Sequence, residues 1–128
     1  MKIGAHVSTA GGISKAVARG VEIGCETIQI FGSSPQSWAF KPVSGTEIEA
    51  FRQATAEAGL GPVYCHAIYL INLGTPNQAN LEKGIQSLIS YMSLAADLGV
   101  AGVVFHPGSH QGVGYEGVLP QTVAAIQR

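Results

Sequence analysis

The side chains most able to do chemistry in this sequence are its four histidines. His6, His66 and His106 each stand at or near the end of a short apolar or β-branched run, and His110 follows soon after the third. Neutral imidazoles that converge on one face are the usual way in which proteins hold zinc. A lone histidine at a strand end is more often a hydrogen-bonded structural residue, but three repeats of the same placement favour a metal site.

A zinc site also needs carboxylates or thiolates, and the sequence supplies few of them in suitable places. Asp97, the only aspartate, falls in the last turn of a predicted helix. The glutamates lie in or beside predicted helices, except Glu116, which follows a glycine-rich loop. Cys25 and Cys65 lack a CxxC partner and are expected to be reduced, buried thiols. The sequence therefore predicts a metal site with an incomplete ligand set.

Strand-like runs and helical patterns alternate along the chain and would position these histidines. The predicted strands are Lys2–Val7, Thr27–Phe31, Pro62–His66 and Gly102–His106. The predicted helices are Gly12–Ile23, Thr46–Ala58, Asn77–Leu98 and a last one from Gly117 to the end. Alternation of this kind indicates a parallel sheet with right-handed crossovers, and α/β barrels build their active sites at the carboxyl-terminal edge of such strands.

Local signals predict where the helices begin and end. Thr46 and Glu49 have the spacing of a capping box at the start of the second helix. Gly59 and Gly99 follow the second and third helical patterns as stop residues. The last helical pattern reaches Arg128 without a stop signal, so we expect this segment to belong to a longer protein.

Composition narrows the class of protein. The 128 residues are 46% hydrophobic and 12% charged and include 17 glycines, which favours a single α/β domain over residues 1–128 and argues against disorder. The net charge is −1, so any contact with DNA must rely on a local site and not on a general basic excess. No apolar run has the length of a membrane span and no signal peptide is visible, so we expect a cytoplasmic protein without a membrane partner.

Two architectures surround a parallel sheet with helices. A doubly wound sheet usually carries a glycine-rich phosphate loop after its first strand, but this chain has HVSTAGG there, without GxGxxG. Half of an eight-stranded barrel is therefore favoured, since the complete barrel needs about 250 residues. We expect the inward-facing residues of this half-barrel to be among the apolar strand residues Ile3, Ile28, Ile30, Val63, Val103 and Phe105.

Four segments resemble the signature segments of the endonuclease IV family of AP endonucleases. They are IGAHVSTAGG (Ile3–Gly12), SSPQSW (Ser33–Trp38), HAIYLINLGTPN (His66–Asn77) and FHPGSH (Phe105–His110), in the family's order. The resemblance covers the whole chain and implies the first four βα units, the N-terminal half, of a xylose-isomerase-like (β/α)8 TIM barrel. It also implies zinc-dependent hydrolysis of the phosphodiester 5′ to abasic sites in double-stranded DNA, a reaction of base-excision repair.

The resemblance implies roles for individual residues at the metal site. His66 and His106 match two ligands of one of the three zinc ions in the complete family. The remaining ligands lie on later strands, so we expect at most a partial zinc site here and a chain that is inactive alone. His6 and His110 are expected to support the metal site or to contact phosphate, His110 more often as a loop-fixing residue than as a ligand. No catalytic residue beyond the metal ligands is implied.

Two further positions face DNA in the family. Tyr69 matches an aromatic residue that reaches into the duplex at the abasic site. Gln36 aligns with a position at which well-studied members carry an arginine, which puts a cationic contact in doubt, although glutamine could still fill the gap. Trp38, in the same segment as Gln36, is expected to pack at the base of its loop.

Other functions stay open on the sequence alone. A sugar isomerase or epimerase with the same architecture would also hold metals with histidines and carboxylates at strand ends. The segment after His66 and the loop around Trp38 favour the nuclease. A third alternative is a non-catalytic half-barrel that associates as a homodimer or with a C-terminal half, because its two outer strands would have unpaired edges.

Overall fold

The computed structural model describes residues 1–128 as four strands that alternate with four helices. The strands are β1 (Gly4–His6), β2 (Thr27–Phe31), β3 (Tyr64–His66) and β4 (Gly102–Val104). The helices are α1 (Lys15–Glu22), α2 (Gly45–Ala58), α3 (Gln78–Leu98) and α4 (Tyr115–Ile126). Every predicted element is present; β2 has the predicted bounds, whereas the other strands are shorter than predicted. None of the helices is long and apolar enough to cross a lipid bilayer.

The strands pair in chain order, β1-β2-β3-β4, and every pair is parallel. A doubly wound sheet reverses its strand order at a switch point, whereas consecutive pairing is the arrangement of successive units in an α/β barrel. The predicted half-barrel is therefore confirmed over the doubly wound alternative. One edge of β1 and one edge of β4 have no neighbouring strand.

The strand register determines which side chains face the helices. Paired positions of parallel strands share a face of the sheet, and successive residues alternate between faces. His6 pairs with Gln29, which pairs with Tyr64, so these three side chains lie on one face. Ile30 pairs with Cys65 on the opposite face, which the helices cover. The face with His6 has no helix over it and corresponds to the interior of a barrel.

The predicted inward-facing residues are wrong. Ile28, Ile30 and Val63 are buried in the core beneath the helices, and Val103 and Phe105 pack against the core around α3. Ile3 precedes β1 and is exposed. The uncovered face instead carries mostly polar and aromatic residues, namely His6, Gln29, Phe31, Tyr64, His66 and Val104. A short apolar run does not tell which of its two faces meets the helices, and this is where the sequence-based assignment failed.

Two hydrophobic clusters hold the helices on the sheet. The first joins β1 and β2 to the first three helices and includes Val17, Ile28, Ile30, Phe51 and Leu98. The second surrounds β3 and α3 and includes Cys65, Ile71, Leu73, Ile85 and Tyr91. Trp38 packs against the second cluster, which confirms the expected position at the base of its loop. Helix α4 adds only Ala125 to the buried residues.

The N-terminus of α2 differs from the prediction. Ser44 is the N-cap residue, in an extended conformation, and its Oγ accepts the Glu47 N–H at 3.2 Å. The helix begins at Gly45, so Thr46 is already helical and the predicted capping box does not form. The C-terminal predictions are confirmed, because Gly59 and Gly99 adopt the left-handed conformation, with φ of 62° and 68°.

Candidate functional site

Three histidines converge at the carboxyl-terminal rim of the uncovered face. His6 and His66 are the last residues of β1 and β3, and His106 lies just beyond β4. The ring centroids of His66 and His106 are 5.3 Å apart, and those of His6 and His66 are 6.0 Å apart. The structure thus brings together the three histidines that the sequence places at strand ends.

The hydrogen bond of His66 defines which of its ring nitrogens is free. The side chain is buried, and its Nδ1 lies 2.7 Å from the carbonyl oxygen of Ala67. A carbonyl oxygen can only accept, so Nδ1 carries the proton and Nε2 of the neutral ring keeps its lone pair. Histidines that ligate metals commonly have their other ring nitrogen bonded in this way. His66 is therefore prepared to bind a metal through Nε2.

His6 is held by its neighbours on β2. Its Nδ1 lies 2.9 Å from Oε1 of Gln29, and its ring centroid is 4.3 Å from that of Phe31. With the amide oxygen accepting from Nδ1, the Nε2 atom of the exposed His6 ring stays free. His6 therefore offers a second nitrogen at the rim, on the side away from His106.

His110 does not join this cluster. Its Nδ1 accepts the N–H groups of Gly112 and Gly114, each at 3.2 Å. The lone pair of Nδ1 is therefore engaged, and Nε2 of the neutral ring carries the proton. This arrangement closes the loop after His106 and leaves His110 no free lone pair for a metal.

Acidic side chains are sparse around the histidines. Asp97 lies in the last turn of α3, and Glu116 lies in the first turn of α4. No group of three or more His, Cys, Asp and Glu side chains lies close enough to hold a metal ion. The donor set at the rim consists of imidazole nitrogens, a chemistry that suits zinc.

Tyr69 stands beside the histidines with more than half of its surface exposed. Its ring centroid is 5.5 Å from Phe31, 5.6 Å from His66 and 5.9 Å from His106. The Tyr69 N–H donates to the Pro35 carbonyl at 3.1 Å, which joins this loop to the loop after β2. Gln36 follows Pro35 on that second loop and is exposed. The rim therefore presents an accessible aromatic ring immediately next to His66 and His106.

A hydroxyl-lined cleft of about 390 Å³ lies on the other side of the rim. Its polar lining comes from His6 at the end of β1 and from the loops after β1 and β2, with Ser8, Thr9, Ser33 and Ser34. Hydroxyl groups are donors that suit phosphate oxygens. No lysine or arginine lines the cleft, so its attraction for an anion would depend on hydrogen bonds.

Residues outside the rim fix the loop after β1. The Arg19 guanidinium donates to the carbonyls of Ser8 and Ala10, each at 2.7 Å. The Glu47 carboxylate accepts both the N–H and the hydroxyl of Ser14 at 2.8 Å. These bonds from Ser14 lower the pKa of Glu47 below its usual value. Neither Arg19 nor Glu47 stood out in the sequence, because each appears there as an ordinary helix-surface charge.

The loops after β3 and β4 are bonded to each other through Asn72. Its Oδ1 accepts the N–H of Gly74 in its own loop and the N–H of Ser109 in the other loop, both at 3.0 Å. The Leu73 N–H donates to the Pro107 carbonyl at 2.8 Å alongside. Sequence analysis missed Asn72, since no local pattern indicates a partner 37 positions away.

Comparison with known families matches residues 17–128 to the xylose isomerase-like TIM barrel. The probable endonuclease 4 of Chloroflexus aurantiacus is 39% identical over 127 residues, which are 99% of this chain and 45% of that protein. The probable endonuclease 4 of Halorhodospira halophila is 43% identical over 97% of this chain and 41% of its own length. The chain therefore spans less than half the length of these relatives.

Comparison with solved structures also matches the chain to endonuclease IV and again covers less than half of the matched chain. Endonuclease IV from Thermus thermophilus superposes with a TM-score of 0.86 at 38% identity, over 99% of this chain and 46% of that chain. A D-psicose 3-epimerase superposes with a TM-score of 0.68 over 97% of this chain and 46% of that chain, but at only 14% identity. The likeness to the epimerase concerns the fold alone.

Proposed function

The chain belongs to the xylose isomerase-like TIM-barrel family, within which it matches endonuclease IV. We therefore propose that it forms part of a zinc-dependent AP endonuclease of DNA repair. The proposed reaction is hydrolysis of the phosphodiester 5′ to an abasic site in double-stranded DNA. The observation that carries the proposal is the pair His66 and His106, whose ring centroids are 5.3 Å apart beside the exposed Tyr69. The 38% identity to a solved endonuclease IV supports it.

Two of the residues present, His66 and His106, have the chemistry of zinc ligands. His66 can bind through Nε2, because its Nδ1 is bonded to the Ala67 carbonyl, and His106 can supply a second nitrogen. When bound, zinc lowers the pKa of a coordinated water and stabilises charge on a phosphodiester. Zinc sites normally have at least three protein ligands, so we propose that a further polypeptide segment completes the site.

The chain's own residues would bind and orient the DNA. The hydroxyl donors of the cleft would hold a backbone phosphate beside His6 and near the other rim histidines. Tyr69 would stack where the missing base leaves a gap, because an aromatic ring can replace lost base stacking. Gln36, on the loop bonded to Tyr69, would occupy the same side of the gap without a cationic charge.

Zinc binding by the purified chain tests the metal part of the proposal. We expect calorimetry to show weak zinc binding, and His66→Ala and His106→Ala should each abolish it. The matched control is His110→Ala, which removes a rim-loop histidine whose Nδ1 is already engaged and should leave the affinity unchanged. Binding that survives His66→Ala and His106→Ala but falls in His110→Ala would overturn the assignment of ligands.

An incision assay tests the catalytic part. The 128-residue chain with added zinc should not cut a duplex that carries one abasic-site analogue, because two imidazoles supply too few ligands. Zinc-dependent, EDTA-sensitive incision above trace level, lost in His106→Ala, would show that the chain completes the site by itself. Binding of the same duplex with no preference over undamaged DNA would contradict the proposed substrate.

A further inference from the structure

We propose that Asn72 is a positioning residue for the two imidazoles: its carboxamide ties the loop after β3 to the loop after β4 and so sets the separation of His66 and His106. The inference rests on the proposed function only in assuming that the two imidazoles bind zinc. The structural part, in which one side chain fixes the distance between two rings, can be tested without metal or DNA.

One oxygen atom makes the connection. Asn72 Oδ1 accepts the Gly74 N–H, which shapes its own loop, and the Ser109 N–H, which belongs to the opposite loop, both at 3.0 Å. Both donors are backbone groups and cannot rotate away as a side chain can. A single acceptor shared between two such donors therefore fixes one loop against the other.

The two loops are in close contact where they meet. Gly108 has φ of +103°, and an ideal Cβ at that position would lie 2.6 Å from the Cα of Asn72. The loops therefore pack in direct contact at Gly108, and the contact requires a glycine for both its conformation and its size. Asn72 itself is half-buried, which limits competition from water for its oxygen.

The bond between the two loops at Asn72 has a larger effect on the position of His106 than on that of His66. His66 is buried, belongs to β3 and has its own bond to the Ala67 carbonyl. His106 is exposed, lies beyond the end of β4, and no protein group hydrogen-bonds to its ring. The position of His106 therefore depends on the backbone that follows it, which is held by the Leu73 N–H bond to the Pro107 carbonyl and, two residues further on, by Asn72 at Ser109.

Other bonds keep the two loops together when Asn72 is removed. The Gln121 side chain on α4 donates to the carbonyls of Leu73 and Thr75 at 2.8 and 2.9 Å. The Thr75 hydroxyl donates to Gln111 at 3.1 Å. These contacts lie further from the histidines along the loops than the bond at Ser109. The Leu73 N–H bond to the Pro107 carbonyl at 2.8 Å is nearer to His106 and also remains, but it leaves the segment from Gly108 to Ser109 without its second attachment. An Asn72 variant should therefore fold and lose the fixed ring separation without losing the loops' overall contact.

The test uses the whole chain and three variants. Asn72→Ala removes the acceptor, and Asn72→Asp keeps an oxygen at the same distance. Asn77→Ala is the matched control: it removes an asparagine from the same loop whose Oδ1 caps α3 at 3.0 Å but joins no second loop. In metal-free protein, the nuclear Overhauser effect between the His66 and His106 rings should be lost in Asn72→Ala. It should persist in Asn72→Asp and Asn77→Ala.

Amide exchange and zinc binding complete the test. Exchange of the Ser109 N–H should accelerate in Asn72→Ala alone. Zinc affinity should fall by about tenfold in Asn72→Ala, the usual effect of removing a group that orients a ligand, and recover in Asn72→Asp.

An unchanged ring contact in Asn72→Ala, or an equal loss in Asn77→Ala, would overturn the proposal. If the wild-type chain binds no zinc, the metal assignment fails while the ring contact still decides the role of Asn72. If Asn72→Ala does not fold, Asn72→Gln, which displaces the oxygen by one methylene, gives the same comparison.

Discussion

At the scale of single residues, the chemistry of the rim depends on hydrogen bonds that select one nitrogen of each imidazole. His66 and His110 are both bonded through Nδ1, but His66 donates to a carbonyl whereas His110 accepts two N–H groups. Only His66 keeps a free lone pair on its other nitrogen. The sequence was sufficient to place the histidines at one edge. It could not give these tautomers, since they depend on which backbone group each ring meets.

The exposed ring of Tyr69 leads to a prediction about DNA binding. Tyr69→Ala should weaken binding of an abasic-site duplex by about 1–3 kcal/mol, the size of one base–aromatic stacking contact. Tyr69→Phe should bind as the wild type does, because stacking needs the ring and not the hydroxyl. Fluorescence anisotropy with damaged and undamaged duplexes measures both effects. Equal losses on the two duplexes would contradict insertion at the lesion.

Substitutions at two glycines of the loop after β4 can distinguish the cost of backbone strain from the cost of a steric clash with the neighbouring loop. Gly108 and Gly112 both have positive φ, +103° and +88°, but an added Cβ contacts Asn72 only at Gly108. Gly112→Ala should cost about 1 kcal/mol of unfolding free energy from strain alone. Gly108→Ala should cost more than Gly112→Ala, and chemical denaturation measures the difference. Equal costs would mean that the two loops separate easily at this point.

At the scale of elements, the sequence predicted the number, type and order of helices and strands correctly. Hydrophobic spacing and the stop glycines Gly59 and Gly99 define the interiors and C-terminal ends of α2 and α3. The start of α2 was misassigned, because Ser44 and Thr46 are both good N-cap residues. In the structure Ser44 is the cap, and the side chain of Glu47 in the first turn is bonded to Ser14 ahead of α1.

The cap of α2 can be tested by a pair of substitutions. Ser44→Ala should lower the unfolding free energy by about 0.5–2 kcal/mol, because the Glu47 N–H loses its acceptor. Thr46→Ala should have little effect, since Thr46 lies inside the helix, where alanine has the higher propensity. Urea denaturation of both variants checks the order. A larger loss in Thr46→Ala would restore the capping box predicted from the sequence.

At the scale of the whole molecule, the sequence did not determine which face of the sheet the helices cover. The sequence contains apolar strands in the right order, but Ile28 and Ile30 could face either the helices or the barrel interior. The parallel register and the packing of Val17 and Phe51 from the helices place them on the helix side. Gln29 and His66 were consequently left on the interior face, a distribution that apolar content alone cannot predict.

Because the thiol of Cys65 and the phenol of Tyr91 are buried, we expect the protein to lose stability at alkaline pH. Burial raises the pKa of Cys65 to about 11, and burial also raises the pKa of Tyr91, against an opposing bond from Ser33. Between pH 9 and 11 the unfolded thiol therefore loses its proton before the folded thiol does. Stability is complete below this window and should fall by about 1–3 kcal/mol across it.

Urea denaturation under reducing conditions at several pH values measures this loss. Cys65→Ala should flatten the dependence between pH 9 and 11, although it lowers stability at neutral pH by leaving a cavity. A slope that is the same in Cys65→Ala and wild type would show that the thiol is not responsible.

The unpaired edges of β1 and β4 predict self-association. Apolar side chains are exposed near both edges: Ile3, which directly precedes β1, and Met92 and Ile126, which line a groove together with Val103 of β4. Unpaired strand edges recruit other chains, so we expect a two-fold dimer in which each β1 lies beside the partner's β4, or else a loose, dye-binding state. Sedimentation equilibrium over a wide concentration range, with a thermal melt, tests this. A monomer at every concentration with a sharp melt would contradict it.

The consecutive order of the strands has a consequence for how the chain is made. Each strand pairs only with the strands that precede and follow it in the chain. Each strand can therefore pair with the preceding strand as soon as it leaves the ribosome. The last buried residue of the first core cluster is Leu98, at the end of α3, and Val100 packs against it. The nascent protein can therefore close that core before β4 and α4 emerge. Synthesis and folding proceed in the same direction, and His106 joins His66 at the rim only after that core has formed.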